Sequence, residues 1–335
     1  MNWKSIILIL AGIFIIGGSV YYLTLRGRVT QREPAKVYKI GVVRNPPGLD
    51  TAWEGFKKKM TELGYKEEEN VTYIVIEVGK SPDETKVRIS ELITQNLDLL
   101  YTMGNIAAPA AKEVTAEKKP NLPVVFGIVS DPVGLKIAQS IKSSGNNMTG
   151  ITPANEVVTS KRLALFKEMI PSLKRVIFPY NNPKSAGIEE LRNAAKDVGV
   201  TLVEKQVKDA EDLKNYLDSL SFQKNDGLMR APDSVSAVQV NKFAEVGIKK
   251  KVPTAGTNGF DVEQGVLMSY GADYRKIGEQ AARLTDIILK GAKPADLPIE
   301  RPEGYELVVN LKTASTIGVT ISNSFLLKAN KVIGR

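Results

Sequence analysis

Neither cysteine nor histidine occurs among the 335 residues. Disulfides, thiolate catalysis, Cys-ligated metals and a lipidated N-terminal cysteine are thereby excluded, as is any acyl-transfer triad that needs an imidazole. The chemistry that remains belongs to polar side chains that follow apolar runs and precede helical stretches. In the first half these are Asn45, Asp50, Thr102, Gly104, Asn105, Ser130 and Asp131; in the second, Asn181, Asn182, Ser185, Asp233, Ser234, Asn258 and Asp273. At such positions they can bond a small ligand beside the unpaired N–H groups and positive dipole ends of helix N-termini. Asn, Ser and Asp are also the preferred helix caps and turn formers, so the expectation rests on the set rather than on any one member. Asp233 stands out because it follows the apolar DGLM run and precedes a helix. Its carboxylate either meets a ligand ammonium or hydroxyl, or caps that helix. Tyr101, Tyr180, Tyr270 and Tyr274 offer a ring face or a hydroxyl, with core packing as the alternative. No GxxxxGKS/T and no GxGxxG follows a strand, so nucleotide chemistry has no support, and no cofactor or metal is expected.

The elements that must position these residues are legible as two periodicities. Short apolar runs recur: KIGVV near 40, YIVIEV near 75, LDLLYT near 100, PVVFGIV near 125, RVIFPY near 177, TLV near 202, DGLM near 228 and GVLMSY near 268. They are too uniformly apolar to alternate, as strands covered on both faces are. Between them lie helical stripes such as Trp53, Phe56, Met60 and Leu63, and Ile277, Ala281, Leu284 and Ile288. Ile188, Leu191, Ala195 and Val198 form another, and Leu213, Tyr216, Leu217 and Leu220 a fourth. Alternating β and α of this kind predicts an α/β fold of doubly wound parallel sheets. The plan is used twice, since the strand ending in Asn45-Pro46-Pro47 is echoed by one ending in Asn181-Asn182-Pro183. Two lobes follow: 37–151 with a return near 271–297, and 152–270 with the C-terminal segment 298–335. Their βα loops line a shared cleft, and the crossings between them form a hinge.

Residues 1–36 read as a membrane segment and linker. Ile6 to Leu25 is an uncharged apolar run long enough for one transmembrane helix. It is either a retained anchor or a cleaved signal with small residues at Gly17-Gly18-Ser19; the apolar run continuing past that point favours the anchor. Arg26, Arg28 and Arg32 on its far side oppose an outside orientation by the positive-inside rule. Of the net charge of +9, +4 falls there, from five basic residues and one acid up to Lys36. The remainder has no Arg-rich arm with interleaved aromatics, so nucleic acid is not an expected partner.

From Lys39 onward the chain resembles the tryptophan/tyrosine-type ABC-transporter substrate-binding proteins. The matching stretches are LDTAWEGFKKKMTELGYKEEENVTY, LPVVFGIVSDPVG, GNNMTGITPANE, ADYRKIGEQAARL, ILKGAKPADLPIE, YELVVNLKTAS and SFLLKANKVIGR. The resemblance implies a type I periplasmic-binding-protein fold and no enzymatic activity. It further implies an extracytoplasmic location and a solute handed to a permease driven by a separate ATPase. Asp233, within Ala231-Pro232-Asp233-Ser234, matches the family's strand-end Asp in the second lobe. The loop Met103-Gly104-Asn105-Ile106 departs from the family's Thr-Pro type, and Lys184 stands where a small polar residue is usual, so the solute is not carried over. A monomer is expected, as for other hinged receptors. A sensory module on the same lobes is the alternative function, and an enzyme using the cleft carboxylates a third.

Overall fold

In the computed structural model the described residues are 36–45, 48–183 and 187–334, together with Trp3. Ile6 to Leu25, Lys184 and Ser185 lie outside them. Among the described residues no helix is long and apolar enough to cross a membrane. Tyr38–Arg335 forms one compact unit.

That unit holds two sheets. The first takes β1 (Tyr38–Arg44), β2 (Val71–Glu77), β3 (Leu99–Met103), β4 (Val124–Gly127) and β5 (Met148–Ile151) in the order β2-β1-β3-β4-β5, all parallel. The second takes β6 (Arg175–Tyr180), β7 (Thr201–Gln206), β8 (Asp226–Met229), β9 (Thr254–Gly256) and β10 (Met268–Ala272) in the matching order β7-β6-β8-β9-β10. It is extended by β11 (Tyr305–Asn310) and β12 (Lys331–Ile333), and β11 runs antiparallel to β10. The purely parallel reading is corrected there: the chain reaches β11 by a return from the first sheet, not by a crossover helix.

Every residue of β3, β4, β5 and β8 is buried, which is why these runs carry no alternation. The edge strands β2 and β7 are the more exposed ones and carry charge at Glu77, Glu204 and Lys205. Helices cover both faces of each sheet. On the first, α1 (Asp50–Glu62), α2 (Pro82–Leu92) and α3 (Gly104–Lys118) follow the strands in turn. On the second come α4 (Asn155–Met169), α5 (Ile188–Asp197), α6 (Ala210–Ser219), the single turn α7 (Ser234–Ala237), α8 (Val240–Lys250) and the short α9 (Gly259–Glu263). The helix α10 (Tyr274–Leu289) leaves β10 in the second sheet but packs its Ile277, Ala281, Leu284 and Ile288 into the first sheet's core beside Trp53, Phe56 and Met60. Glycines permit its close contact with α1: a Cβ on Gly278 would fall 1.9 Å from the Ala52 carbonyl oxygen, and one on Gly55 2.2 Å from that of Arg275. After α10 the chain bridges Glu300 to Ile151 before entering β11, and α11 (Leu311–Ile317) and α12 (Asn323–Leu326) close the second sheet.

Candidate functional site

A cavity opens where the carboxyl ends of the two sheets' strands face each other, with about 90 Å³ of free space. A single water needs roughly 10–15 Å³, so the space is that of a small organic molecule.

From the first sheet, the loop after β1 brings Asn45, Gly48 and Leu49, and that after β4 brings Ile128 and Ser130. Gly104 opens α3 at φ 86°, where a Cβ would meet Leu49 Cδ1 at 3.2 Å, so the backbone itself forms the wall. Asn105 accepts from the Ser130 N–H (2.8 Å) and donates to its hydroxyl (3.2 Å), fixing Ser130. Ile128, β-branched at φ 60°, is a backbone outlier on the wall, held by its N–H to the Ile151 carbonyl.

From the second sheet, Asp233 lines the cavity and caps α7: one oxygen accepts from the Ser236 N–H (2.7 Å) and the other from that of Asn181 (3.0 Å). Two bonds leave lone pairs for a ligand donor, so the cap and the ligand contact are compatible roles. Ser234 and Asn258 line the cavity too, Asn258 capping α9 through Asp261 N–H at 3.3 Å. Tyr274 adds a phenol whose pKa burial pushes up. Behind these lies a buried ion pair, Arg230 Nε to Asp261 Oδ2 at 2.8 Å and Nη2 to Oδ1 at 3.2 Å, with the Thr257 N–H donating to the same carboxylate at 2.6 Å.

The cavity thus gathers Asn45, Gly104, Asn105, Ser130, Asp233, Ser234 and Asn258. Asp50 instead pairs with Arg44 at the start of α1, and Thr102 is buried within β3. Asp131 accepts from the Gly134 N–H in a turn (2.7 Å), and Asn181 spends its side chain on the carbonyls of Val207 and Lys208. Asn182 is exposed, and Asp273 caps α10 through the Arg275 N–H at 3.0 Å. Of the tyrosines, Tyr101 stacks on Phe56 in the core, Tyr180 packs beside Phe178 and Tyr270 stacks on Tyr305; only Tyr274 lines the cavity. Arg230, Asp261, Thr257, Asn155 and Phe260 were not foreseen. The available signal was Arg230 itself, a charge directly after the apolar Gly227-Leu228-Met229 end of β8 and therefore in need of a buried partner.

Two contacts join the walls across the cleft. Ser130 Oγ stands 3.5 Å from the Pro232 carbonyl oxygen, and Gly48 rests against the Phe260 ring, where a Cβ would come within 3.0 Å of the ring edge. The lobes are therefore closed on each other in this structure.

Two sheets meeting over an interior cavity define a two-lobed solute-binding architecture. The chain belongs to the ABC transporter substrate binding protein family, whose model it matches over residues 39–333. It is 25% identical to a tyrosine-binding protein of Clostridioides difficile over 86% of this chain and 82% of that one. A conserved domain protein from Vibrio cholerae superposes with a TM-score of 0.78 at 27% identity, covering 89% of this chain and all of that one. An ABC domain from Streptococcus pneumoniae in complex with L-Trp gives 0.76 at 24% identity, over the same shares. The family is one of solute-binding proteins, not enzymes.

Proposed function

We propose that the protein is the extracytoplasmic receptor of an ABC importer, taking an aromatic amino acid such as tyrosine or tryptophan between its lobes and passing it to a permease with a separate ATPase. The observation that carries this reading is the interior cavity lined by βα loops of both sheets, so that one ligand touches both lobes and biases closure. The carboxyl-end loops supply Asp233 for the ligand ammonium. The N-termini of α3 and α4, whose cap positions Met103 and Ala154 offer no side-chain bond, supply N–H groups for its carboxylate. The relatives that bind tyrosine and L-Trp support this choice of solute. In this reading the lobes divide at 151 and 271–297, the crossings near those positions act as the hinge, and the receptor works as a monomer. The apolar run Ile6 to Leu25 tethers it to the membrane.

The test is a thermal-shift screen of the full-length protein against amino acids, nucleosides, sugars and small carboxylates. Tyrosine or tryptophan at 100 times its Kd is expected to stabilise the fold by about 2.7 kcal/mol, and Asp233→Ala to abolish most of that gain while remaining folded. A folded protein that no member of the panel stabilises defeats the proposal.

A further inference from the structure

Arg162 lies on α4 and is fully buried. Its Nε donates to the Tyr270 carbonyl at 2.8 Å, but Nη1 and Nη2 have no acceptor among the described residues. The guanidinium stands directly behind the cavity wall. A Cβ on Gly271 would lie 3.7 Å from Nη2, and Gly271 itself rests on the carbonyl of the cavity-lining Thr257. Arg162 also shares a helical stripe with Asn155, one of the wall residues.

The nearby acid is Asp261, and it is engaged bidentately by Arg230 and by the Thr257 N–H. Two buried guanidiniums therefore stand near one buried carboxylate, and this buried cluster behind the wall carries an excess positive charge. Burial, and then repulsion from Arg230, pulls the Arg162 pKa down to about 10, which still leaves it charged at neutral pH. Holding an unpaired charge away from water is costly to the fold. Such a cost persists where function uses it.

We propose that Arg162 is a charge-selecting residue, which acts through the Thr257–Arg230–Tyr274 wall to make the cleft prefer solutes bearing an anionic group, the carboxylate of an amino acid above all. This inference rests on the solute-binding reading. Arg162 does not touch the ligand; its field adds to that of the α3 and α4 N-termini, and the ligand anion balances the pair of guanidiniums.

The full-length protein and its Arg162→Met and Arg162→Lys variants are melted without added solute, then titrated with L-tyrosine, L-tryptophan, tyramine and tryptamine. Arg162→Met is expected to melt at or above the wild-type temperature without solute, because the unpaired charge is gone. Its preference for each amino acid over the matching amine falls by roughly tenfold, the worth of one charged interaction, while Arg162→Lys keeps that preference. An unchanged preference in Arg162→Met, or a solute-free melting temperature several degrees below wild type, overturns the inference. If the wild type binds none of the four compounds, the aromatic amino-acid reading fails on its own, and the solute-free melting comparison decides the role of Arg162.

Discussion

Asp261→Asn isolates the electrostatics of the cavity wall with almost no change of shape. In the native protein this carboxylate accepts from Arg230 Nε and Nη2 and from the Thr257 N–H. The ion pair has side chains only 4% and 2% exposed, so solvent does little to screen its loss. The amide removes the negative charge that faces Arg230 and lies within electrostatic reach of Arg162, and turns one acceptor into a donor aimed at donors. Breaking a buried pair from one side costs about 3–5 kcal/mol. For a unit of roughly 300 residues the unfolding entropy is about 0.6 kcal/mol per degree, so the melting temperature falls by about 5–8 °C. Arg230→Met is expected to cost less, because Asp261 then still has Arg162 nearby, whereas Asp261→Asn leaves two cations facing each other. The double substitution should be less damaging than the sum of the singles by about 2 kcal/mol. Differential scanning calorimetry of the four proteins without solute reads all three quantities. Additive effects, or an Asp261→Asn protein within about 2 °C of wild type, would refute the shared-carboxylate account.

Ser130→Ala removes the hydroxyl that reaches the Pro232 carbonyl across the cleft; solute release measured by stopped flow should quicken by about two- to fivefold with little change in melting. Gly278→Ala places a methyl 1.9 Å from the Ala52 carbonyl oxygen, and the helix pair α1 and α10 can yield only by moving apart. A loss of about 1–3 kcal/mol in denaturant unfolding is expected. Glu306 is held above the usual carboxylate range, first by burial and then by Asp273. A raised folded pKa means the folded state binds the extra proton, so the group destabilises the fold most at neutral pH and less as pH falls through its folded pKa. Glu306→Gln should therefore raise the melting temperature at about pH 7 and lose that advantage as pH falls to the ordinary carboxylate value of about 4, and a constant gap across this range would contradict the assignment.

The parallel core was open to sequence reading because helices cover both faces of each sheet, so β3, β4 and β8 appear as near-continuous apolar runs, broken only by Thr102 and Asp226. The stripes on α1, α5, α6 and α10 follow from the same burial. The strands β5, β9, β11 and β12 were not singled out: β5, β9 and β12 have only three or four residues, such as Thr254–Gly256, which carry too little periodicity to register, and β11 begins with the polar Tyr305-Glu306. The antiparallel direction of β11 depends on where the chain re-enters the second sheet, which no local pattern encodes.

In the site, reading βα loops located Asn105, Ser130, Asp233 and Asn258 because strand ends and helix starts converge on a cleft. The same residue types also cap helices, and Asp273 and Asn181 were spent on such backbone bonds instead. Arg230 and Asp261 were hidden for a different reason: they stand 31 positions apart, the first just after β8 and the second on α9 after β9, and only strand pairing brings them together. Yet α4 carries a cue that needs no partner. Its stripe of Asn155, Thr159, Arg162, Phe166 and Met169 is buried throughout, polar in its first part and apolar in its second. A buried stripe that changes character along one helix must pass from one environment to another. Here the apolar end enters the core, where Phe166 and Met169 pack, and the polar end reaches the cavity at Asn155. Arg162 sits at the crossover, deep enough to lose its water and near enough to the cavity for its charge to act there. A long amphipathic stripe interrupted by buried polar residues at its N-terminal end is thus a physical marker of the cleft, independent of the loops.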